Sequence, residues 1–569
     1  MLHPILDLNN FNIVLSVVAL YILLFGYVSL RIKQRCYLGE ALPAFLIGIS
    51  LGPIGAKLLN ISQWGGDDND YRSDIAYDLT RLVMGIQLVK AGYQLPERYV
   101  RQRLSELAIC LLPVLTIAWF ATSACILLAI PGISFLSALI ISACVTCTDP
   151  VLSQAIAKGP FADNYVRRPL REFISAEAGA NDGFGFPFLL LAVSLLRYAE
   201  TPDNTVSLED FDLERGIPDS LGATSTGRFG GGAGPALKHW AVEGVLYMIF
   251  LGASYGAFLG FICQKLLKGA SKRSWIDNES FTLVPVAIGM LIVGTCGCFG
   301  SDETLACFVA GSVLNWNGFY QAEMQARHDS FNSTIETLLN VVAFMYLGAV
   351  MPWDQFHRPQ DTGISIWRLF GLGFLILIFR RIPAIVTGYR FMPKVCSDWK
   401  EALFLGYFGP IGMGAITYVE YARRLFPSPG ESDNEINSLT AAMVPVVYWL
   451  VLFSIVVHGL SVPALDALYK FFNVPKICDH PVAIVLLSDN EALPNNCSVD
   501  RQRHSMIVNN RFSRPSDMDT DGQNSQARKI PATMARLNEG SPLNQSVELL
   551  DISLINHQAE GTVTTRAIV

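Results

Sequence analysis

Four ionisable side chains lie deep inside apolar runs of this sequence. Glu177 and Asp182 stand in ISAEAGANDGFGFP (174–187), Asp149 in TCTDPVLSQA (146–155) and Arg381 in FRRIP (379–383). Counting inward from the nearest flanking basic residues at 1.5 Å per helical residue gives their depths. Asp182, eleven residues past Arg171, lies roughly 16 Å into a spanning segment; Asp149 and Arg381 lie roughly 13 Å deep, and Glu177 roughly 9 Å. A charge facing lipid at a helix centre costs at least about 2.5–3.5 kcal/mol. These groups are therefore expected to face one another or a water-filled cavity, where a carboxylate can hold a proton or a cation.

Their spacing gives them different tasks. Glu177 and Asn181 are four residues apart and share a helix face, whereas Asp182 points about 140° away from Glu177. One carboxylate can thus pair with Arg381 while the other faces a cavity. The plainer reading is that all four only hold a helix bundle together. Asp149 precedes Pro150, which removes a backbone donor and disfavours helix at the residue before it. Far along the chain, YFGPIGMGA (407–415) puts Gly409, Pro410 and Gly412 into the middle of another apolar run. Two interrupted helices in corresponding places point to an inverted-repeat transporter with a site at the midplane. Their half-helix N-termini would bring partial positive charge together, which Asp149 can offset.

The elements that must carry these residues are membrane spans. Of 569 residues, 51% are hydrophobic and 16% charged, which excludes an ordinary soluble domain. About thirteen apolar segments are long enough to count as spans: 11–31, 40–59, 73–95, 104–130, 133–157, 169–197, 237–268, 279–299, 302–318, 331–351, 364–390, 399–424 and 438–468. The N-terminal ten residues lack a basic region and a cleavage site, so the first segment reads as a retained helix. Basic residues gather in every second connection, as in Arg98, Arg101 and Arg103 or Arg167, Arg168 and Arg171. That places the N-terminus outside and the C-terminus in the cytoplasm. Residues 198–236 read as an outer loop. Residues 1–473 form one transmembrane domain, and 474–569, polar apart from HPVAIVLL (480–487), read as a largely disordered cytoplasmic tail. The twelve cysteines are scattered, and Cys144 and Cys147 form a CxxC with no second pair and no nearby histidine, so helix packing is their expected role. No cofactor and no nucleic-acid partner is expected.

Several motifs resemble those of the monovalent cation:proton antiporters. They are TDP (148–150), ExxxND (177–182), RRIP (380–383) and FGPIG (408–412). WGGDDNDY, DETLACFVAG, LNWN, WKEALFLGYFGPIG and VVHGLS are similar to the fungal plasma-membrane sodium/proton branch, and the matches run in order over roughly residues 10–470. The resemblance implies an all-α fold of thirteen helices with inverted repeats and two broken, crossing helices. It also implies a homodimer in the lipid bilayer. On that pattern Asp182 binds the cation or proton, and Asn181 stands where electrogenic bacterial relatives have Asp. Thr148 and Asp149 line the crossing, with Thr148 a further cation ligand. Glu177 forms a salt bridge with the family's core arginine, assigned to Arg381 with Arg380 in reserve. His458 occupies the branch's histidine position, where pH modulation stands against simple packing.

The expected function is exchange of cytoplasmic Na⁺, with Li⁺ and K⁺ as further candidates, for external H⁺, serving salt tolerance and pH homeostasis. Desolvation penalises the bare Asp182 anion, so a site holding either ion but rarely neither makes exchange obligatory. A potassium/proton exchanger of an internal membrane is the alternative within transport. An intramembrane aspartyl protease would need a shared-proton pair of aspartates, and it leaves Glu177 and Arg381 without a task. A channel lacks a repeated filter motif.

Overall fold

A computed structural model describes residues 10–32, 38–59, 69–157, 160–199, 227–326, 331–360 and 362–477, with the short runs 483–486, 497–500 and 505–508. Each of the thirteen apolar segments holds a helix or a pair of shorter helices. The first three are α1 (Asn10–Arg31), α2 (Ala41–Leu51) and α3 (Asn69–Gln94). After the single turn α4 (Tyr99–Gln102), α5 (Leu104–Ile109) runs through a wide π-helical stretch around Pro113 into α6 (Leu115–Ala129). The fifth segment is split into α7 (Phe135–Thr146) and α8 (Pro150–Ala157), followed by the short α9 (Pro160–Tyr165) and the long α10 (Arg168–Arg197).

The second half begins with α11 (Ala233–Trp240), which continues through a π-helical stretch into α12 (Gly252–Lys272). Then come α13 (Asn278–Phe299), α14 (Glu303–Leu314), α15 (Phe319–Ala326) and α16 (Phe331–Val350). The last segments are α17 (Ile366–Phe379), α18 (Ile382–Gly388), α19 (Trp399–Tyr407), α20 (Met413–Arg423) and α21 (Asn434–Phe471). Among the described residues, seven helices are long and apolar enough to cross a membrane by themselves, and shorter apolar helices such as α2, α7 and α14 lie among them.

The breaks follow from local chemistry. Pro150 starts α8 and leaves Cys147–Asp149 extended, and the Gly-Pro-Ile-Gly run separates α19 from α20. A third break, which the sequence reading did not anticipate, falls at Arg380 and Arg381 between α17 and α18, with Pro383 just inside the new helix. The second segment is helical only to Leu51, and turns occupy 52–56. Side chains cap several helix starts: Ser134 accepts from the Ser137 amide, Asp398 from that of Glu401, and Asp433 from those of Glu435 and Ile436.

Packing around α10 places the site. α3 and α12 both lie against α14, and α12 does so through Gly252, Gly256 and Gly260, which meet the backbone of Asp302, Ala306 and Ala310. Small residues at such contacts let helix backbones approach closely in the absence of a hydrophobic driving force. Arg228 ties the far end of α10 to the start of α21, donating to the Leu196 carbonyl at 3.1 Å and to Asp433 and Glu435 at 2.6 Å each.

The chain divides into two compact units, Met1–Ile477 and Cys478–Val569. In the second, β3 (Ser505–Val508) lies between β1 (Ala483–Leu486) and β2 (Cys497–Asp500), antiparallel to both. Of the expected outer loop, residues 200–226 lie outside the described residues and α11 begins at Ala233, inside the expected bounds; most of the expected disordered tail also lies outside the described residues.

Candidate functional site

The two broken helices cross at Asp149. Its amide donates to the Pro410 carbonyl at 2.8 Å, which joins the two extended stretches directly. One carboxylate oxygen accepts from the Leu152 amide at 2.9 Å and the other from the Met413 amide at 2.7 Å. Asp149 thus caps the N-termini of both α8 and α20, and its charge faces the positive ends of two helix dipoles. Gly412 sits at the N-cap position of α20, against this carboxylate.

The C-terminal ends of the other two half-helices, α7 and α19, meet Arg380. Its guanidinium, 4% exposed, donates to the carbonyls of Val145 in α7 and Gly409 beyond α19. A buried cation on two C-terminal ends mirrors the buried anion on two N-terminal ends. Sequence reasoning held Arg380 only as a second choice for Glu177 and missed this task. The signal lay in its position beside Arg381, but carbonyl partners leave no mark in a sequence.

Three polar side chains of α10 stand in three different situations. Arg381 donates to Glu177, and both side chains are almost wholly buried. Asn181 accepts from the Thr148 amide at 3.2 Å and donates to the Thr148 hydroxyl at 2.8 Å, so it clamps the extended stretch before α8. Asp182 is 1% exposed, and neither of its oxygens meets a hydrogen-bond donor among the described residues. Its backbone carbonyl accepts from the Tyr418 hydroxyl.

The Asp182 side chain points at the first turn of α20. A Cβ on Gly414 would lie 2.9 Å from one carboxylate oxygen and 3.4 Å from the Met84 methyl. An anion, or a cation bound to it, therefore lies beside the end of α20 that Asp149 already neutralises. Gly414→Ala should displace the carboxylate, and misplacement on the order of 1 Å can cost as much as about a hundredfold in rate. On the exchange expected from the sequence, sodium-driven proton release at fixed Na⁺ should fall at least about tenfold. A reconstituted variant with wild-type rates would show that Asp182 works from elsewhere.

His458, on α21, reaches the end of α19. Its Nε2 lies 3.1 Å from the Tyr407 carbonyl, and Nδ1 lies 3.1 Å from the Ser454 hydroxyl and 3.0 Å from that residue's carbonyl. The Ser454 hydroxyl in turn accepts from the Ile411 amide at 2.7 Å. The imidazole braces the unwound stretch and makes no contact with Asp182. Another buried group not foreseen is Glu420 on α20, which accepts from the hydroxyls of Ser73 in α3 and Tyr448 in α21. It lies near the end of its segment, four residues before Arg424, and was not singled out from the sequence.

The chain is similar to known proteins over most of its length. The family described as sodium/hydrogen exchanger, transmembrane, matches residues 19–466. A Na⁺/H⁺ antiporter of Saccharomyces cerevisiae is 31% identical over 469 residues, 80% of this chain and 44% of the relative. A probable Na⁺/H⁺ antiporter of Schizosaccharomyces pombe is 34% identical over 467 residues, covering 80% of this chain and 56% of the relative. A further Na⁺/H⁺ antiporter of Schizosaccharomyces pombe is 31% identical over 468 residues, 81% of this chain and 91% of its own length. The chain therefore spans about half the length of the first two of these relatives. Among solved structures, the sodium proton antiporter MjNhaP1 from Methanocaldococcus jannaschii at pH 8 matches with a TM-score of 0.52 and 14% identity. That match covers 78% of this chain and 98% of the other, and it shows a shared fold.

Proposed function

The chain belongs to the sodium/hydrogen exchanger family, and on that premise we propose that it is a secondary active antiporter exchanging cytoplasmic Na⁺ for external H⁺. The observation that carries the proposal is the state of the buried carboxylates. Glu177 is taken by Arg381 and both Asp149 oxygens by backbone amides, whereas Asp182 keeps two oxygens without donors among the described residues. Such a group binds a proton or a small cation, and the bare anion is penalised in a low-dielectric interior. Thr148 supplies a neighbouring hydroxyl, oriented by Asn181. Oxygen ligands of this kind suit alkali cations.

Neutralisation by either ion lets the site change the side it faces, and the empty anion does not cross. An inward proton gradient then expels Na⁺, with Li⁺ and K⁺ as competing substrates. The names of the three fungal relatives support this reading. The protease alternative requires two aspartates sharing a proton, and Asp149 has no oxygen to spare for that arrangement. A plasma-membrane location, an external N-terminus, a cytoplasmic tail from residue 474, a homodimer and a role in salt tolerance complete the proposal. The alternation of basic connections supports the orientation. The deciding experiment is cation-dependent proton movement in proteoliposomes, with Na⁺, Li⁺ and K⁺ supplied in turn. No cation-driven proton flux from an active-lipid control preparation would end the exchange reading.

Stoichiometry follows from the same geometry. With Asn181 beside Asp182, one carboxylate carries the exchanged ion, so one H⁺ should leave for one Na⁺. Each uncompensated charge moved would couple to voltage at about 2.3 kcal/mol per 100 mV. We therefore expect the sodium/proton exchange rate to stay constant when valinomycin and K⁺ clamp different potentials. A rate that tracks the imposed potential means a second proton carrier, with Glu177 the first suspect.

A further inference from the structure

Asp182 shares its condition with Asp302, on the loop before α14. Asp302 is 1% exposed, and its Oδ2 meets no donor among the described residues. All of its capping work falls on Oδ1, which accepts from the Thr304 and Leu305 amides at 2.9 and 3.0 Å and from the Thr304 hydroxyl at 2.6 Å. An N-cap needs only one such oxygen, and Ser, Thr or Asn would supply it without a charge. The second oxygen is in excess of what the helix requires. Its neighbour Glu303 is engaged by Arg81, so the adjacent carboxylate is neutralised while Asp302 is not.

That oxygen is aimed at α10. A Cβ on Gly183 would lie 2.8 Å from Asp302 Oδ2 and 2.4 Å from the Leu305 Cβ, while the Phe308 ring lies against Gly179. α14 thus runs antiparallel along the glycine face of α10, with Phe308 beside residue 179 and Leu305 beside residue 183. Asp302 stands about one turn beyond Asp182 toward the Arg197 end of α10, and its side chain leans back to Gly183. The loop is held from behind, because the Ser301 hydroxyl donates to the Tyr247 carbonyl at 2.9 Å. Glycine at 183 is what lets Leu305 and the Asp302 carboxylate approach α10 this closely, one residue along from Asp182.

We propose that Asp302 is a second ligand of the transported alkali cation, presenting Oδ2 across Gly183 on the passage between Asp182 and the membrane face reached by the Arg197 end of α10. The Asp182 carboxylate and the Oδ2 of Asp302, on adjoining helices and without donors among the described residues, together attract a cation, and hard oxygen donors suit an alkali ion. Asp302 is fixed to α14 by its cap, apart from the broken helices, so it serves ions arriving or leaving on one side. It is not a second carrier, and the expected indifference to voltage stands. The proposal rests on the exchange reading above.

The test uses the full chain with Asp302→Asn and Asp302→Ser, both of which keep a capping oxygen, and Gly183→Ala, which keeps the charge but pushes Asp302 and Leu305 away from α10. Na⁺ is supplied to one face of proteoliposomes at a time, with insertion direction read by protease accessibility. The expected result is a KM for Na⁺ raised about tenfold at the Arg197 face, the loss of one good ligand, and changed much less at the opposite face. Purified protein should show the same displacement in the Na⁺ concentration that raises its melting temperature. Wild-type KM at both faces in an exchanging preparation, or an equal rise at both, would reduce Asp302 to a helix cap. If wild type itself moves no protons in response to Na⁺, the exchange reading fails. The melting arm still decides in that case: an Na⁺ response that is absent in wild type, or unchanged by the three variants, overturns the Asp302 proposal too.

Discussion

Asp182→Asn should leave a folded, membrane-inserted protein that releases no protons when Na⁺ is added. The amide matches the carboxylate in shape but cannot alternate between a proton and a cation, and alternation is the whole of the proposed cycle. Stability should not suffer. Among the described residues neither Asp182 oxygen has a donor, so the substitution removes a buried group whose charged form is penalised. The new amide nitrogen adds an unsatisfied donor at about 1–3 kcal/mol, a smaller penalty than an unpaired buried charge. We therefore expect a melting temperature equal to or above that of wild type, together with a flat dye trace after a Na⁺ pulse in proteoliposomes. Near-normal sodium-driven proton release would sink the central assignment. A variant that aggregates would contradict the structure instead, because it would mean the carboxylate holds the bundle together.

Much of the architecture shows in the sequence because its causes are local. Pro150 and Pro410 lack the amide a helix needs, and each announces a break within its own segment. Spacing alone puts Glu177 and Asn181 on one face and Asp182 on another. What spacing does not give is partners across the fold. Arg380 and Arg381 are equivalent in the sequence, and only the turn between α17 and α18 sends one to Glu177 and the other to the carbonyls of Val145 and Gly409. Asp302 read as part of a motif at a helix start. Its nearness to Gly183 depends on how far α14 is recessed between α3, α10 and α12, a matter of tertiary packing over more than a hundred residues of separation. Glu420 went unnoticed for a related reason: nothing near it in the sequence marks it as buried, while α3 and α21 cover it.

The Glu177–Arg381 pair should prove the most costly contact in the site to break. Arg381 is the N-cap residue of α18, where the chain turns from α17, and Glu177 lies one turn before Asn181 on α10. The bond therefore joins the helix that carries Asp182 to the break that also positions Arg380. Removing one partner leaves the other charge buried without compensation, at roughly 3–5 kcal/mol. Both Glu177→Gln and Arg381→Ala should lower the melting temperature in detergent and reduce the yield of monodisperse protein. Arg381→Ala should be the worse, because burial strands a carboxylate and the lost aliphatic stem also leaves a gap beside Gly409. Replacing both residues by apolar side chains of similar volume removes both desolvation penalties and should recover stability beyond either single change. Transport need not return with it, since the double variant keeps Asp182 but loosens the helix that aims it. Single variants that melt like wild type would mean that the two charges are hydrated or paired elsewhere. Arg380→Ala is the control: it should disturb the C-terminal ends of α7 and α19 without being corrected by Glu177→Gln. Correction of Arg380→Ala by that second change would reassign the partner of Glu177.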